Sequence, residues 1–209
     1  MKIVIFGASG GAGLKVAEQA LNAGHHVTAF VRNPSKLGIQ HQNLNIFQGD
    51  VMDADTVNKA IAGQEAVISV LGPTRPPVPH MMETAAKNIV AGMQAHGIRR
   101  IVSTTGAGVR QPEDQPKFID HFIAFLLNLL AKEVVLDSAE NVKVIQSSDL
   151  DWTIVRFPRL TDGTHTGKYR VGYVGKDSSS QISRADGADF VLKELVEKKW
   201  LQKLPVVSY

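Results

Sequence analysis

The first thirteen residues, Met-Lys-Ile-Val-Ile-Phe-Gly-Ala-Ser-Gly-Gly-Ala-Gly, constrain the fold more than any other stretch of the chain. A β-branched, apolar run from Ile3 to Phe6 stops at a glycine-rich turn. An amphipathic segment with Leu14, Ala17 and Leu21 at helical spacing follows at once. Strand, tight loop and helix N-terminus in that order form a cradle for the diphosphate of a dinucleotide. Gly7 ends the strand and turns with positive φ at little cost. Gly10 has no Cβ, so a phosphate reaches the backbone, and Gly13 lets the helix pack close to the sheet. The first N–H groups of the helix lack intrahelical partners and, with the helix dipole, attract anions. The spacing is Gly-x-x-Gly-x-x-Gly rather than the Gly-x-Gly-x-x-Gly of many dehydrogenases, so the flanking strand and helix supply the specificity. The plainer alternative is a glycine-rich surface turn with no ligand.

Downstream, strand and helix patterns alternate. Strands are expected at 26–32, 44–47, 66–71, 98–104 and 152–156, and helices at 53–62 and 81–96. Asn33-Pro34 has the form of an N-cap and a first helical position. This order predicts βαβ units with right-handed crossovers: an α/β, Rossmann-type, doubly wound parallel sheet with helices on both faces, a three-layer αβα sandwich. The 209 residues suit a single NAD(P)-binding Rossmann domain, 1–209, with a small substrate-side portion from about 157 to 183. Ligands of such sheets sit at the carboxyl ends of the strands, so the informative residues are those that follow each strand.

Composition removes several function classes. There is no cysteine, which excludes disulfides, thiol catalysis and cysteine-ligated zinc. The seven histidines show neither His-Glu-x-x-His nor a cluster at ligand spacing, so no metal is expected. No apolar run reaches the ~18 residues that a membrane span needs. The N-terminus reads as a core strand rather than a signal peptide, and a cytoplasmic protein is expected. The formal charge is +3, but lysines and arginines are scattered, so nucleic acid is not an expected partner. The apolar segment 118–130 is too short to span a membrane and suggests a buried or dimer-packing helix, with a lid over the substrate or a membrane-surface contact as the alternatives; no membrane partner and a monomer or homodimer are expected.

The end of strand two discriminates between dinucleotides. Enzymes of this architecture that use NAD carry a carboxylate there for the ribose 2′-hydroxyl. Here the place holds Arg32, followed by Asn33 and Ser35-Lys36. A guanidinium pairs with a 2′-phosphate in fork geometry, so NADP(H) is expected over NAD(H).

Together the glycine loop, Val31-Arg32-Asn33-Pro34-Ser35-Lys36-Leu37, Gly49-Asp50-Val51, Ser69-Val70-Leu71-Gly72, Leu150 to Pro158 and Ile182 to Asp186 cover nearly the whole chain. In that order they resemble the atypical short-chain dehydrogenase/reductases, in the branch of NmrA-like proteins and biliverdin reductase B (flavin reductase)-like proteins. The resemblance implies that Ser9, Gly10, Gly11 and Ala12 hold the diphosphate, within the turn bounded by Gly7 and Gly13, and that Arg32 meets the 2′-phosphate. It puts Asp50 and Val51 beside the adenine, and Leu71, Gly72 and Arg75 along the cofactor groove. Thr104, Thr105 and Gly106 fall near the nicotinamide, with Pro158, Arg159 and Leu160 across from it.

One departure bears on chemistry. The wider superfamily transfers protons with Tyr-x-x-x-Lys, and none of the three tyrosines here is followed by lysine at that spacing. Aligned on Ala139-Glu140, the tyrosine place holds Lys132 and the lysine place Leu136. Flavins and quinones accept hydride with little help from a protein acid. The expectation is an NADPH-dependent oxidoreductase acting on a small planar, flavin-like or quinone-like acceptor. Thr105 and Arg159 are its candidate catalytic residues, Arg159 by stabilising negative charge on the acceptor. The alternative is a non-catalytic, NADP-binding redox-sensing regulator of the NmrA-like type.

Overall fold

The structure, a computed structural model, describes residues 1–74, 76–118 and 131–209. Arg75 and most of the apolar segment 118–130 therefore lie outside the described residues. The central sheet has the strand order β3-β2-β1-β4-β5-β6-β10-β8. Its members are β1 (Lys2–Phe6), β2 (His26–Val31), β3 (Leu44–Gln48), β4 (Ala66–Ser69), β5 (Arg100–Gly106), β6 (Asp151–Phe157), β8 (Arg170–Gly172) and β10 (Val206–Ser208). All run parallel except β8, which pairs antiparallel with β10 at the edge. A separate parallel pair joins β7 (Arg159–Thr161) to β9 (Gln181–Ser183).

Strand periodicity sorts the core. Ile3 and Ile5 of β1 face α1 (Gly11–Asn22) and the last helix, here α5 (Arg184–Glu197), through Val16, Ala17, Ala20, Val191 and Leu195. Val4 and Phe6 face the opposite layer. That layer holds α2 (Ala54–Ile61), α3 (Met81–Ala95) and α4 (Lys132–Gln146). With helices on both faces, Ile3 to Phe6 are wholly buried, which is why β1 is a continuous apolar run rather than an alternating one.

Several boundaries depart from the sequence expectation. Asn33 does cap, accepting the Ser35 N–H at 3.1 Å, but only a three-residue 3-10 turn, Pro34–Lys36, follows. β4 stops at Ser69, which frees Val70 and Leu71 for the loop above it. α4 carries little apolar signal because it buries only Asn141, Val142 and Ile145, and β10 is a three-residue strand set by its neighbours. Two ion pairs are sunk into the β5–β6 half. Arg100 meets Glu194 at 3.3 Å, and Arg156 grips Asp114 through two bonds of 2.7 and 2.8 Å. Burial pushes the Asp114 carboxyl up, but the Arg156 bonds and the N–H groups of Gln111 and Val174 outweigh it and leave the group below its ordinary range. This clamp ties the segment after β5 back to β6.

Candidate functional site

The sheet reverses direction at β1, with β2 and β3 to one side and β4, β5 and β6 to the other. At that switch point the loops part, and a crevice opens at the carboxyl ends. Gly7 stands at φ +85° and accepts the Gly10 N–H at 3.0 Å, closing the turn. A Cβ on Gly7 would lie 2.6 Å from the Val70 carbonyl oxygen, and one on Gly13 would drive into the Gly7 carbonyl. Glycine is therefore required at both positions by contact with backbone that has no room to move. Asp53 and Ser183 cap α2 and α5, whereas Gly10 offers α1 no side-chain cap and no acidic residue stands in its first turn. The N-terminal N–H groups of α1 are left for an anion.

A cleft of about 530 Å³ lies over these elements. Of the residues nominated from sequence, Gly10, Gly11 and Ala12 line it from the glycine loop, and Leu71 and Gly72 from the end of β4. Thr104, Thr105 and Gly106 enter from β5, and Pro158 and Leu160 from beyond β6. Thr104 is buried, its hydroxyl directed to the Ser69 carbonyl at 3.4 Å. Other nominated residues sit outside the lining. Gly7, Ser9 and Gly13 shape the turn beneath it. Arg32 is exposed just after β2, its guanidinium without a partner among the described residues. Asp50 is exposed after β3 and accepts the Met52 N–H at 2.9 Å, while Val51 is buried beside it. Arg159 is turned away from the cleft, donating to the Gln181 side chain at 2.7 Å, so its charge serves the β7–β9 pair. Lys132, at the start of α4, is exposed and off the cleft; Ser138 lines it instead.

Arg184, the first residue of α5, was not nominated and is the only titratable side chain among the described residues that line the cleft. Its Nε lies 2.8 Å from where a Cβ on Gly11 would stand, so the guanidinium rests on the opening of α1. Asp162 holds its other end at 2.5 Å. The placement is secured from below. Gln19 of α1 donates to the Ala185 carbonyl at 2.9 Å. The buried Asp186 carboxylate accepts the Thr166 and Gly167 N–H groups and the Thr166 and Tyr209 hydroxyls, all at 2.8 Å. Burial alone would raise this carboxyl, but those donors win and hold it at about 2. The local signal was a Ser-Arg-Ala-Asp cap; the approach to Gly11 exists only in the folded chain.

The tyrosines are occupied elsewhere. Tyr169 donates to Asp189 at 2.6 Å, Tyr209 to Asp186, and Tyr173 packs edge-on to Trp200. None of the three tyrosines is among the described residues that line the cleft. Among the described residues no group of three His, Asp or Glu is placed to hold a metal, and no helix is long and apolar enough to cross a membrane.

Comparison with known proteins agrees with this geometry. Residues 7–198 match the family model described as NAD(P)H-binding, and the chain belongs to that family. Its fold is that of the atypical short-chain dehydrogenase/reductases. It is 31% identical to the uncharacterized protein YwnB of Bacillus subtilis, over 93% of this chain and 92% of that one. A wide-type short-chain dehydrogenase/reductase from Veillonella parvula, solved in complex with NADP, superposes with TM-score 0.81 at 20% identity, covering 100% of this chain and 94% of that one. ChuY, an anaerobilin reductase from Escherichia coli O157:H7, superposes with TM-score 0.78 at 23% identity, covering 100% and 97%.

Proposed function

We propose that the protein is an NADPH-dependent oxidoreductase that delivers hydride to a small planar acceptor, in the manner of the flavin reductase-like branch. The observation that carries this reading is the cleft itself. It joins an uncapped helix N-terminus to the ends of β4, β5 and β6, and its described lining holds no titratable side chain other than a guanidinium. The reductase name of the Escherichia coli neighbour is in keeping with it.

The bound cofactor supplies a hydride donor; the rest is done by the chain. The N–H groups at the start of α1 hold the diphosphate, and Arg184 adds a second, cationic contact after exchanging its partner Asp162 for a phosphate. Arg32 pairs with the 2′-phosphate and sets the preference for NADP(H). Asp50 and Val51 border the adenine. Thr104 and Thr105 orient the nicotinamide against Pro158, and the apolar surround of Leu71, Met82, Phe157 and Leu160 keeps water from the face that reacts.

Two measurements test this. Pure protein with NADPH and a panel of flavins and quinones should consume the nicotinamide absorbance with at least one acceptor. Tight NADPH binding without turnover across the panel would instead identify a redox-sensing binding protein. Arg32→Asp should reverse the NADPH:NADH affinity ratio, a swing of about 100-fold from exchanging a charge-assisted pair for a repulsion. An unchanged ratio would remove Arg32 from the site.

A further inference from the structure

We propose that Ser138, on α4, is the acceptor-binding hydroxyl of the cleft and that it takes a planar acceptor with a carbonyl oxygen at its rim, as in a quinone. The proposal rests on the reductase reading above and narrows its substrate class. α4 leads into the start of β6 through a short turn, so its own first turns stand toward the opposite, carboxyl end of the sheet. Its buried residues, Asn141, Val142 and Ile145, form one stripe. Ser138 lies three, four and seven residues before them and continues that stripe by one turn. Val142 and Ile145 end in the core, whereas Ser138, nearer the strand ends, lines the cleft. The core-facing stripe of the helix thus presents a hydroxyl where the cleft opens.

Two contacts stop the helix from turning about its axis there. Asp137 accepts the Met82 and Glu83 N–H groups at 2.9 and 3.0 Å, and Asn141 donates to the Met82 carbonyl at 2.8 Å. Residues on both sides of Ser138 are thereby fastened to the first turn of α3, and Met82 itself lines the cleft. The hydroxyl they hold in place is idle. At the far end of α4, Ser147 and Ser148 donate to carbonyls three residues back, at 3.0 and 2.7 Å. Thr104, also in the cleft, is directed to the Ser69 carbonyl. Ser138 has no hydrogen-bond partner among the described residues. Thr105, on β5, serves the nicotinamide in the reading above, which leaves the acceptor to the side of α4. A hydroxyl that is half-buried, held in place and unpaired is ready for a ligand atom.

Hydride transfer gives that hydroxyl its task. A quinone receives hydride, with its electron pair, from the reduced nicotinamide; one C–H bond breaks as a bond from that hydrogen to the quinone forms. The product is the hydroquinone monoanion, and its last proton comes from water. Negative charge therefore grows on a carbonyl oxygen during the step. A serine hydroxyl keeps its own proton but donates a stronger hydrogen bond to that oxyanion than to the neutral carbonyl. Ser138 thus holds the rim of the acceptor and lowers the barrier without acting as an acid.

The test compares the native protein, Ser138→Ala and Ser138→Thr, using a methylnaphthoquinone and methylnaphthalene, the same ring system without oxygens. With NADP+ present, Ser138→Ala should weaken quinone binding about fivefold by calorimetry and leave the hydrocarbon unchanged, and Ser138→Thr, which keeps the hydroxyl, should recover most of the loss. In NADPH oxidation, kcat with the quinone should fall about tenfold in Ser138→Ala while KM rises less, because the bond strengthens as charge develops. NADPH affinity should keep its native value in both variants. Quinone affinity and kcat indifferent to Ser138→Ala, or a loss that Ser138→Thr does not recover, would overturn the contact, and NADPH oxidation by the native protein would then still uphold the reductase. Equal weakening of NADPH, quinone and hydrocarbon would mark Ser138 as structural and overturn the contact too. Ser138-dependent quinone binding without NADPH oxidation would uphold the contact and overturn the reductase.

Discussion

A second cavity of about 250 Å³, lined by Pro77, Val78, Met81, Glu133, Leu136 and Asp137 among others, shares Pro73 and Met82 with the cleft, yet the two are made in opposite ways. The cleft is built largely from backbone: glycines, an uncapped helix start and strand ends, with the guanidinium of Arg184 laid across it. The cavity is built from side chains of two segments far apart in sequence, and its ionisable wall is anionic. The cleft's backbone suits the diphosphate that every nicotinamide dinucleotide carries.

The largest expected difference between the halves is in stability. Gly13→Ala places a methyl against the Gly7 carbonyl, a backbone atom locked in the turn. It should cost about 3 kcal/mol in denaturant unfolding and abolish NADPH binding with it. Leu136→Ala, on the half-exposed wall of the cavity, should stay within about 0.5 kcal/mol of the native protein. If both variants unfold alike, the contrast between a backbone-built and a side-chain-built site is wrong.

The same contrast explains what the sequence made legible. Residues 1–13 carry their geometry within one strand, one turn and one helix start, so Gly7, Gly10 and Gly13 could be placed from spacing alone. The doubly wound parallel sheet was expected from the alternation of strand and helix patterns, whereas its strand order is supplied by the folded chain. Arg184 was invisible as a site residue because its role depends on α1 and α5 packing side by side. Arg159 misled for the complementary reason: it stands two residues beyond the end of β6, but its side chain is captured by Gln181. α4 and the cavity wall were missed because a helix that buries only three residues has almost no apolar period.

Next in size is the contact that sequence could not supply. On the proposed reading Arg184→Ala removes a charge-assisted partner of the diphosphate, so the NADPH dissociation constant should rise about thirtyfold by calorimetry. Binding of 2′-AMP, which has no diphosphate, should not change. Equal weakening of 2′-AMP would mean that the substitution disturbs the whole cleft rather than one phosphate contact.

The smallest effect separates the helix start from the guanidinium above it. Alanine at position 11 would set its methyl 2.8 Å from Nε and 3.1 Å from Cδ of Arg184, both atoms of a flexible side chain. Unlike the Gly7 carbonyl under Gly13, this neighbour swings aside, so Gly11→Ala should unfold at or slightly above the native midpoint, alanine being the better helix former. NADPH affinity should nevertheless fall about fivefold, because the displaced guanidinium no longer lies over the diphosphate. The double variant Gly11→Ala with Arg184→Ala decides how. If the methyl acts by moving Arg184, the double variant binds NADPH no worse than Arg184→Ala alone, a coupling equal to the whole of the smaller effect. If the losses add, the methyl obstructs the phosphate directly, and the two residues serve the cofactor separately.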